Sequence, residues 1–370
     1  MRLGTYNVEN LFMRARALNL ATWAEGKGVL ERFAALNSVL NKARYTRSDK
    51  TRIVRLLDEL GLGAADDGGS FVVLRQTRGN LLRRRRDGVT EIVANGRGDW
   101  IGWVDLKNEP VDEVAMRCTA RVVHDVAADV LCVVEAESRP ALVHFSEQLL
   151  PAVSATPFAH AMLIDGNDAR GIDVGLFLRR GFEITRIQSH IDDEDEQGRI
   201  FARDCAEYWI RTERGTELVL LLNHFKSKGY GGQAESNARR LRQARQVAKI
   251  YASLTARGVK NIAVLGDLND TPNSAPLAPL LRETNLRDVS AHSSFEDGGR
   301  PGTYANGSAS QKIDYVLLSP SLFGKMTSGG VFRMGVWGGK NGTLFPHYPE
   351  MTKASEAASD HAAVWADLDV

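Results

Sequence analysis

The stretch NIAVLGDLNDTP, residues 261–272, decides how the rest of the chain is read. Residues 262–266 are Ile, Ala, Val, Leu and Gly, an apolar run of strand length with no polar alternation, which is how a strand buried on both faces reads. The run ends in Asp267, with Asn269 two residues on and Pro272 closing the turn. Alone, a Gly-Asp-Leu-Asn turn is an ordinary loop, because Asp and Asn bond their own backbone after strands. Its weight comes from repetition elsewhere.

Working outward, similar short apolar runs stand at 2–7, 130–134, 172–178, 217–223, 313–319 and 362–368. Between them, 113–128 and 235–256 carry helical spacing; in the second, Leu241, Ala244, Val247, Ala248, Tyr251 and Leu254 make one apolar stripe. This alternation predicts a layered α/β fold. Polar residues attend nearly every buried run: Asn7 and Glu9 after the first, Glu135 after 130–134, His224 after 217–223, Asp267 and Asn269 after 262–266. Asp314 lies just inside 313–319, and Asp360 and His361 precede the last run. In layered α/β proteins, polar groups at strand ends converge on one sheet edge, where ligands bind. Six strands are thus expected to deliver carboxylate, amide or imidazole to one rim.

The ordered set TYNVENLF (5–12), DVLCVVEAES (129–138), DARGIDVGLFLR (168–179), LLLNHFKSKGYGG (220–232), VLGDLNDTP (264–272), QKIDYVLLSP (311–320) and SDHAAVWADL (359–368) resembles the endonuclease/exonuclease/phosphatase superfamily. These are metal-dependent phosphoesterases typified by deoxyribonuclease I, exonuclease III and abasic-site endonucleases. The NHFKSKG and GDLNDTP forms look most like a bacterial nuclease-like branch. The resemblance implies a deoxyribonuclease-I-like α/β (α+β) fold: a four-layer sandwich of two packed mixed β-sheets flanked by helices. It runs from residue 5 to 368, so one catalytic domain is expected over 1–370, with a long insertion at about 13–112 on which the resemblance is silent. Within that insertion, 51–60 reads as a helix and 91–106 as hairpin-like; about 320–360 reads as an ordered loop region.

Hydrolysing a phosphodiester takes a hard cation, an activated in-line water and donors to the non-bridging oxygens. Oxygen ligands suit Mg²⁺, or Mn²⁺ as a substitute. On the resemblance, Glu135 is the leading metal ligand with Asn7 beside it, and Asp360 and Glu9 are candidates to complete the shell. His361 pairs with Asp314 as general base or phosphate-polarising imidazolium; Asp267 competes for the water; Asn269 and His224 would hold phosphate oxygens or protonate the leaving group. Arg170 and Lys226 are candidate phosphate contacts. Two departures stand out. Many relatives place Gln before the metal Glu, where this chain has Val134. The Asp270-Thr271-Pro272 continuation differs from the aromatic-Arg continuation of inositol-polyphosphate phosphatases, which argues against an inositide substrate.

The implied function is a Mg²⁺-dependent phosphodiesterase on nucleic acid, DNA before RNA. A small-molecule or lipid phosphodiester, as in sphingomyelinase-like relatives, is the alternative substrate. A catalytically silent binding module is the third reading, though such modules usually lose the His or a metal carboxylate, and His361 and Glu135 are both present. No protein partner is inferable.

Composition agrees with this class. The 370 residues hold 47 Lys and Arg against 46 Asp and Glu, 43% apolar and 25% charged residues, which excludes disorder and gives no global field for polyanions. Any polyanion contact must be local: Arg75, Arg78, Arg83, Arg84, Arg85 and Arg86 lie in a segment without acids, and residues 236–266 carry seven Lys and Arg and no acid. Asp192 to Glu196 is an acidic run that reads as an exposed turn. Trp100, Trp103, Trp337 and Tyr348 read as core before rim, with stacking on bases as the alternative. Cys118, Cys132 and Cys205 lack metal-ligand spacing and read as buried reduced thiols. With no run of the ~18 apolar residues a membrane span needs and no apolar leader, the expectation is a cytoplasmic protein without membrane contact.

Overall fold

The computed structural model of the chain describes residues 1–17, 20, 23–85, 90–168, 170–228 and 232–370. Two compact units are present. One comprises Met1–Phe12, Val111–Lys228 and Ala234–Val370; the other is built mainly from Met13–Pro110.

Two mixed sheets make up the larger unit. The first has seven strands in the order Phe295–Glu296, Met326–Phe332, Ala363–Leu368, Arg2–Asn7, Val130–Ala136, Asp173–Leu178 and His160–Leu163. The second has six: Glu183–Gln188, Ala206–Arg211, Glu217–His224, Ile262–Asp267, Asp314–Leu318 and Arg287–Asp288. Each sheet has a central parallel pair, Arg2–Asn7 beside Val130–Ala136 and Glu217–His224 beside Ile262–Asp267. Parallel neighbours need a crossover, which the helices Glu113–Val126 and Gln233–Ala256 supply. Strands that run parallel end at the same edge, so Asn7 and Glu135 share one edge, and His224 pairs in register with Asp267. Asp314, opening an antiparallel strand, pairs with Asp267 at that same end.

The unbroken apolar runs are explained by layering. Leu3, Val130, Cys132, Val134, Val174 and Leu176 of the first sheet pack with Tyr208, Leu218, Leu220, Leu222, Ala263, Leu265 and Val316 of the second. Their neighbours along the strands point outward. Leu131, Val133 and Phe177 pack against Val122, Val123 and Val126 of one helix, and Val219, Leu221, Val264 and Leu317 against Ala244, Val247, Tyr251 and Leu254 of the other. The result is helix, sheet, sheet, helix, the expected four-layer sandwich. Cys118, Cys132 and Cys205 are buried and unpaired, as expected.

Part of the 320–360 region departs from its reading as loop: Met326–Phe332 is a strand. Its β signal is broken by Gly329 and Gly330, which allow close approach of the neighbouring strand; a Cβ on Gly329 would lie 2.9 Å from the Trp365 carbonyl oxygen. No helix among the described residues is long and apolar enough to cross a membrane.

The unit formed by Met13–Pro110 has its own core. Helices Trp23–Leu40 and Arg47–Glu59 contribute Leu36, Ile53 and Leu57, which pack with Leu74, Trp100 and Val104. Thr46 caps the second helix in a reciprocal box with Asp49. The segment read as hairpin-like splits between two ribbons. Thr90–Ile92 pairs with Leu82–Arg84, whereas Ile101–Leu106 pairs with Val72–Arg78. Helix Trp23–Leu40 escaped the sequence reading because Gly26 and Gly28 interrupt it; Gly26 packs so close to the backbone that a Cβ would stand 1.7 Å from the Ala17 carbonyl oxygen.

Gly266 closes the strand that carries Asp267. Its φ is +127°, and a Cβ there would sit 1.9 Å from the Asn223 carbonyl oxygen on the adjacent parallel strand. Gly266→Ala is therefore expected to cost about 2–5 kcal/mol from strain and overpacking. Urea unfolding checks this, with a lower midpoint at unchanged slope as the expected outcome.

Candidate active site

The predicted rim residues meet where the two sheets face each other. His361 Nδ1 lies 2.9 Å from Asp314 Oδ2, and both side chains are buried. Asp314 is fixed in turn by the Thr303 hydroxyl, which donates to Oδ2 at 2.6 Å and accepts from the Asp314 backbone N–H at 3.0 Å. On the other side, the Ser359 hydroxyl donates to the Asn7 carbonyl oxygen at 2.7 Å and accepts from the His361 backbone N–H at 3.0 Å. The imidazole is therefore clamped from both sheets, and its Nδ1 faces a carboxylate that favours a proton on that nitrogen.

Asp267 occupies the centre. Asn269 donates to it twice, backbone N–H to Oδ1 at 2.8 Å and Nδ2 to Oδ2 at 3.0 Å, and Asn7 Nδ2 donates to Oδ2 at 3.3 Å. The sharp turn that allows this places Asn269 at φ 53°, a left-handed conformation that Asn tolerates better than most residues. His361 Nε2 stands 4.0 Å from Asp267 Oδ2.

These surroundings displace the titrations. Burial, and then the adjacent Asp314 charge, push Asp267 up to about 7. For His361, burial favours the neutral ring, but the charge and hydrogen bond of Asp314, with Asp360 and Asp267, outweigh it and hold the imidazolium well above the ordinary range. His224 goes the other way. Burial, reinforced by Arg203 and Arg170, holds it well below the ordinary value, so its ring is neutral. A neutral imidazole is a poor source of a proton for a leaving group, and that part of the sequence reading does not fit; its N–H can still bond an oxygen.

Glu135 differs from its neighbours. Its backbone is left-handed at φ 69°, and no described residue donates a hydrogen bond to its carboxylate. Its ionisable neighbour is the neutral His224, whose Nε2 stands 3.7 Å away and is also 3.7 Å from Asp267 Oδ2. Val134, which replaces the Gln of many relatives, is buried in the layer between the sheets, so it gives Glu135 no support. Asp267, Asp314 and His361 also bring ligand atoms within 4.8 Å of one another. Most of their lone pairs and protons are already engaged with one another and with Thr303, Asn7 and Asn269, which suits a proton relay better than a cation cage. Glu9 and Asp360 lie together at one side: the Asp360 N–H donates to Glu9 Oε2 at 3.2 Å, and Asp360 Oδ1 is 3.7 Å from His361 Nε2.

A second group is cationic. The buried Arg203 pairs with Asp168 and donates to the His224 and Phe225 carbonyl oxygens at 3.1 and 2.7 Å. Arg170 pairs with the same Asp168 at 3.1 Å, and these guanidinium charges hold that carboxyl well below the usual range despite its burial. Lys226 feels the same field. Burial first, then Arg203 and Arg170, push its ammonium down to about 8.

Thr303, Ser359, Arg203 and Tyr304, whose ring lies 5.0 Å from that of His361, escaped the sequence reading. Ser359 and Asp168 sit inside the motifs SDHAAVWADL and DARGIDVGLFLR, which was the available signal; Arg203 and the Thr303-Tyr304 pair lie in no motif. The basic segments are neutralised in part. Arg240 is fully buried against Asp270, and Arg242 is bound to Asp195 of the acidic run, which forms a tight exposed hairpin with Gly198–Arg199. Arg75, Arg84 and Arg85 pair with Asp105, Asp66 and Glu91, and Arg86 lies outside the described residues.

A sequence profile of the Endonuclease/Exonuclease/phosphatase family matches residues 93–329, more than half of the chain. No curated protein sequence matches. Among solved structures, a Bacteroides thetaiotaomicron mannosyl-6-phosphatase is similar at 17% identity, over 70% of this chain and 92% of that one, with a TM-score of 0.50. The human nocturnin catalytic domain with bound sulfate aligns at 15% identity over 70% and 87% of the two chains, TM-score 0.47. A truncated Caenorhabditis elegans TDP2 aligns at 15% over 68% and 90%, TM-score 0.46. At such identities the likeness is one of fold. The profile match over the strands that carry most of the clustered residues shows that the chain belongs to the endonuclease/exonuclease/phosphatase family.

Proposed function

We propose that the chain is a divalent-cation-dependent phosphodiesterase acting on nucleic acid. The family it belongs to consists of phosphoester-hydrolysing enzymes, and the observation that carries the finer reading is the convergence of Glu135, Asn7, Asp267, Asn269 and the Asp314–His361 pair where the two sheets face each other. The donor set fits a hard cation. Glu135 has no donor among the described residues, and the surrounding groups are carboxylate and amide oxygens rather than thiolates, which suits Mg²⁺ or Mn²⁺. Glu135 and Asn7 would hold the ion, with Asp360 and Glu9 as candidates beside them. When bound, it would supply charge neutralisation at the phosphoryl oxygens.

The chain's own residues divide the rest of the work. Asp267, poised near neutrality, takes the proton of the attacking water as its oxygen bonds to phosphorus. The bond from phosphorus to the leaving oxygen breaks in line, and that oxygen is protonated from solvent. His361, kept protonated by Asp314, directs Nε2–H at a non-bridging oxygen and stabilises the charge developing there. Asn269 and the neutral His224 hold phosphate oxygens, while Arg170 and Lys226 bind a flanking phosphate.

The test is cleavage of supercoiled circular DNA and of end-labelled linear DNA and RNA, with Mg²⁺, Mn²⁺ or EDTA. EDTA-sensitive cleavage is expected, with His361→Ala and Asp267→Ala each slower by on the order of 10²–10⁴-fold. Cleavage only of sphingomyelin, nucleotides or sugar phosphates would shift the substrate class; no EDTA-sensitive hydrolysis at all would overturn the reading.

Cation binding can be followed without turnover. Mg²⁺ is expected to raise the melting temperature of the wild type, and Glu135→Gln to abolish that rise while leaving the cation-free melting temperature unchanged.

The Lys226 ammonium loses its charge as pH rises through about 8. If it binds phosphate, KM is expected to climb above that pH in the wild type. In Lys226→Arg, which keeps its charge, the climb should vanish with kcat little changed.

A further inference from the structure

The total charge of +1 conceals a division between the two parts of the chain. Residues 13–110 hold 18 Lys and Arg against 12 Asp and Glu, a net charge of +6, so the remainder of the chain carries −5. The basic part is the unit with its own core. Its ribbon of Val72–Arg78 and Ile101–Leu106 turns one face inward, with Val72, Leu74 and Val104 at 1–3% exposure. The other face is exposed, and it is not a uniformly polar surface.

Trp103 is 48% exposed and Ile101 52%, two of only four large hydrophobic side chains exposed among the described residues. The reading of Trp103 as core fails because Trp103 alternates with Val104, and Val104 takes the inward position. Trp100 does fill the core, at 3% exposure, with its indole N–H bonded to the Tyr45 hydroxyl at 3.1 Å. The register places Arg75 opposite Trp103 and Arg78 opposite Ile101, so both arginines share the exposed face with the two apolar side chains. Arg75 meets Asp105 at 3.3 Å in an exposed ion pair, which binds weakly in water. Arg78 has no ion-pair or hydrogen-bond partner among the described residues.

We propose that this face of the ribbon is a binding surface for single-stranded nucleic acid, with the Trp103 indole stacking on an unpaired base and Arg75 and Arg78 holding the adjacent phosphates. The proposal rests on the nucleic-acid reading of the active site and deepens it by naming the form of the polymer. Charge complementarity selects a polyanion, because the exposed aromatic stands on the part of the chain with the net positive charge. The flat π and aliphatic surface selects unpaired bases, since in a duplex the base faces are stacked on one another and out of reach.

Binding is measured in EDTA, so that no turnover intervenes, by the anisotropy of labelled DNA and RNA strands of about 12 nucleotides, within the site sizes of known stacking surfaces. Matched duplexes and inorganic polyphosphate serve as competitors. Wild type is expected to prefer the single strand to the duplex and to lose tryptophan emission on binding. Trp103→Ala should weaken single-strand binding at least about fivefold and remove the preference, Trp103→Phe should restore most of it, and Arg75→Ala with Arg78→Ala should reduce the salt dependence. Because Trp103 is exposed, melting temperatures of the variants should match the wild type. Unchanged binding by Trp103→Ala overturns the surface even if the wild type cleaves nucleic acid. Absence of wild-type binding to either strand overturns it whatever phosphoester the enzyme hydrolyses. Self-association of the wild type that Trp103→Ala abolishes in sedimentation assigns the face to a second copy of the chain and overturns it too.

Discussion

The hydrogen bond between His361 and Asp314 joins residues of two different sheets in a setting from which water is almost excluded. Such a bond exists only if the sheets are held face to face at one separation and one angle. The interlocked Val, Leu and Ile side chains between them impose that geometry, because a close-packed apolar layer resists compression and sliding. Thr303 and Ser359 then convert the juxtaposition into a fixed orientation, each hydroxyl donating to one acceptor and accepting from one backbone N–H. The chemistry at the rim therefore depends on packing many residues away.

The same closeness sets the charge states. Asp267 and Asp314 are adjacent in register on neighbouring strands, and burial leaves their mutual repulsion poorly screened. One consequence is an Asp267 that titrates near neutrality; another is a His361 that keeps its proton. His224, fully buried and near Arg203 and Arg170 without a hydrogen-bonded carboxylate, is driven neutral. Two histidines at one edge thus end in opposite states, and the difference lies in which neighbours the fold provides.

The rim was largely legible in the sequence because a buried strand is conspicuous and the residues at its terminus are confined to one edge. Asn7, Glu135, His224, Asp267, Asn269, Asp314 and His361 all lie at or beside strand termini, and the strand pairings gather them. Thr303 and Arg203 were not legible, since each reaches the site from a loop whose course no periodicity describes. The edge strand Glu183–Gln188 and the strand Met326–Phe332 were also missed: one is mostly solvated, and the other is broken by two glycines. Trp103 shows the limit at the level of a single residue. An aromatic in a short alternating ribbon has two faces to choose from, and only the pairing with Val72–Arg78 decides which one is covered.

By itself the sequence determined the layered class, the order of the elements and the set of polar residues delivered to one edge, because these follow from local hydrophobic period and from the direction in which parallel strands must run. Tertiary structure alone decided how those residues are used. It left Glu135 without a donor among the described residues and closed the Asp267, Asp314 and His361 network on itself. It also buried Arg240 against Asp270, tied Arg242 to Asp195, and left Trp103 in solvent. The reason is physical. Period and direction are properties of a segment, whereas desolvation, charge pairing and exposure are set by which other segments stand opposite.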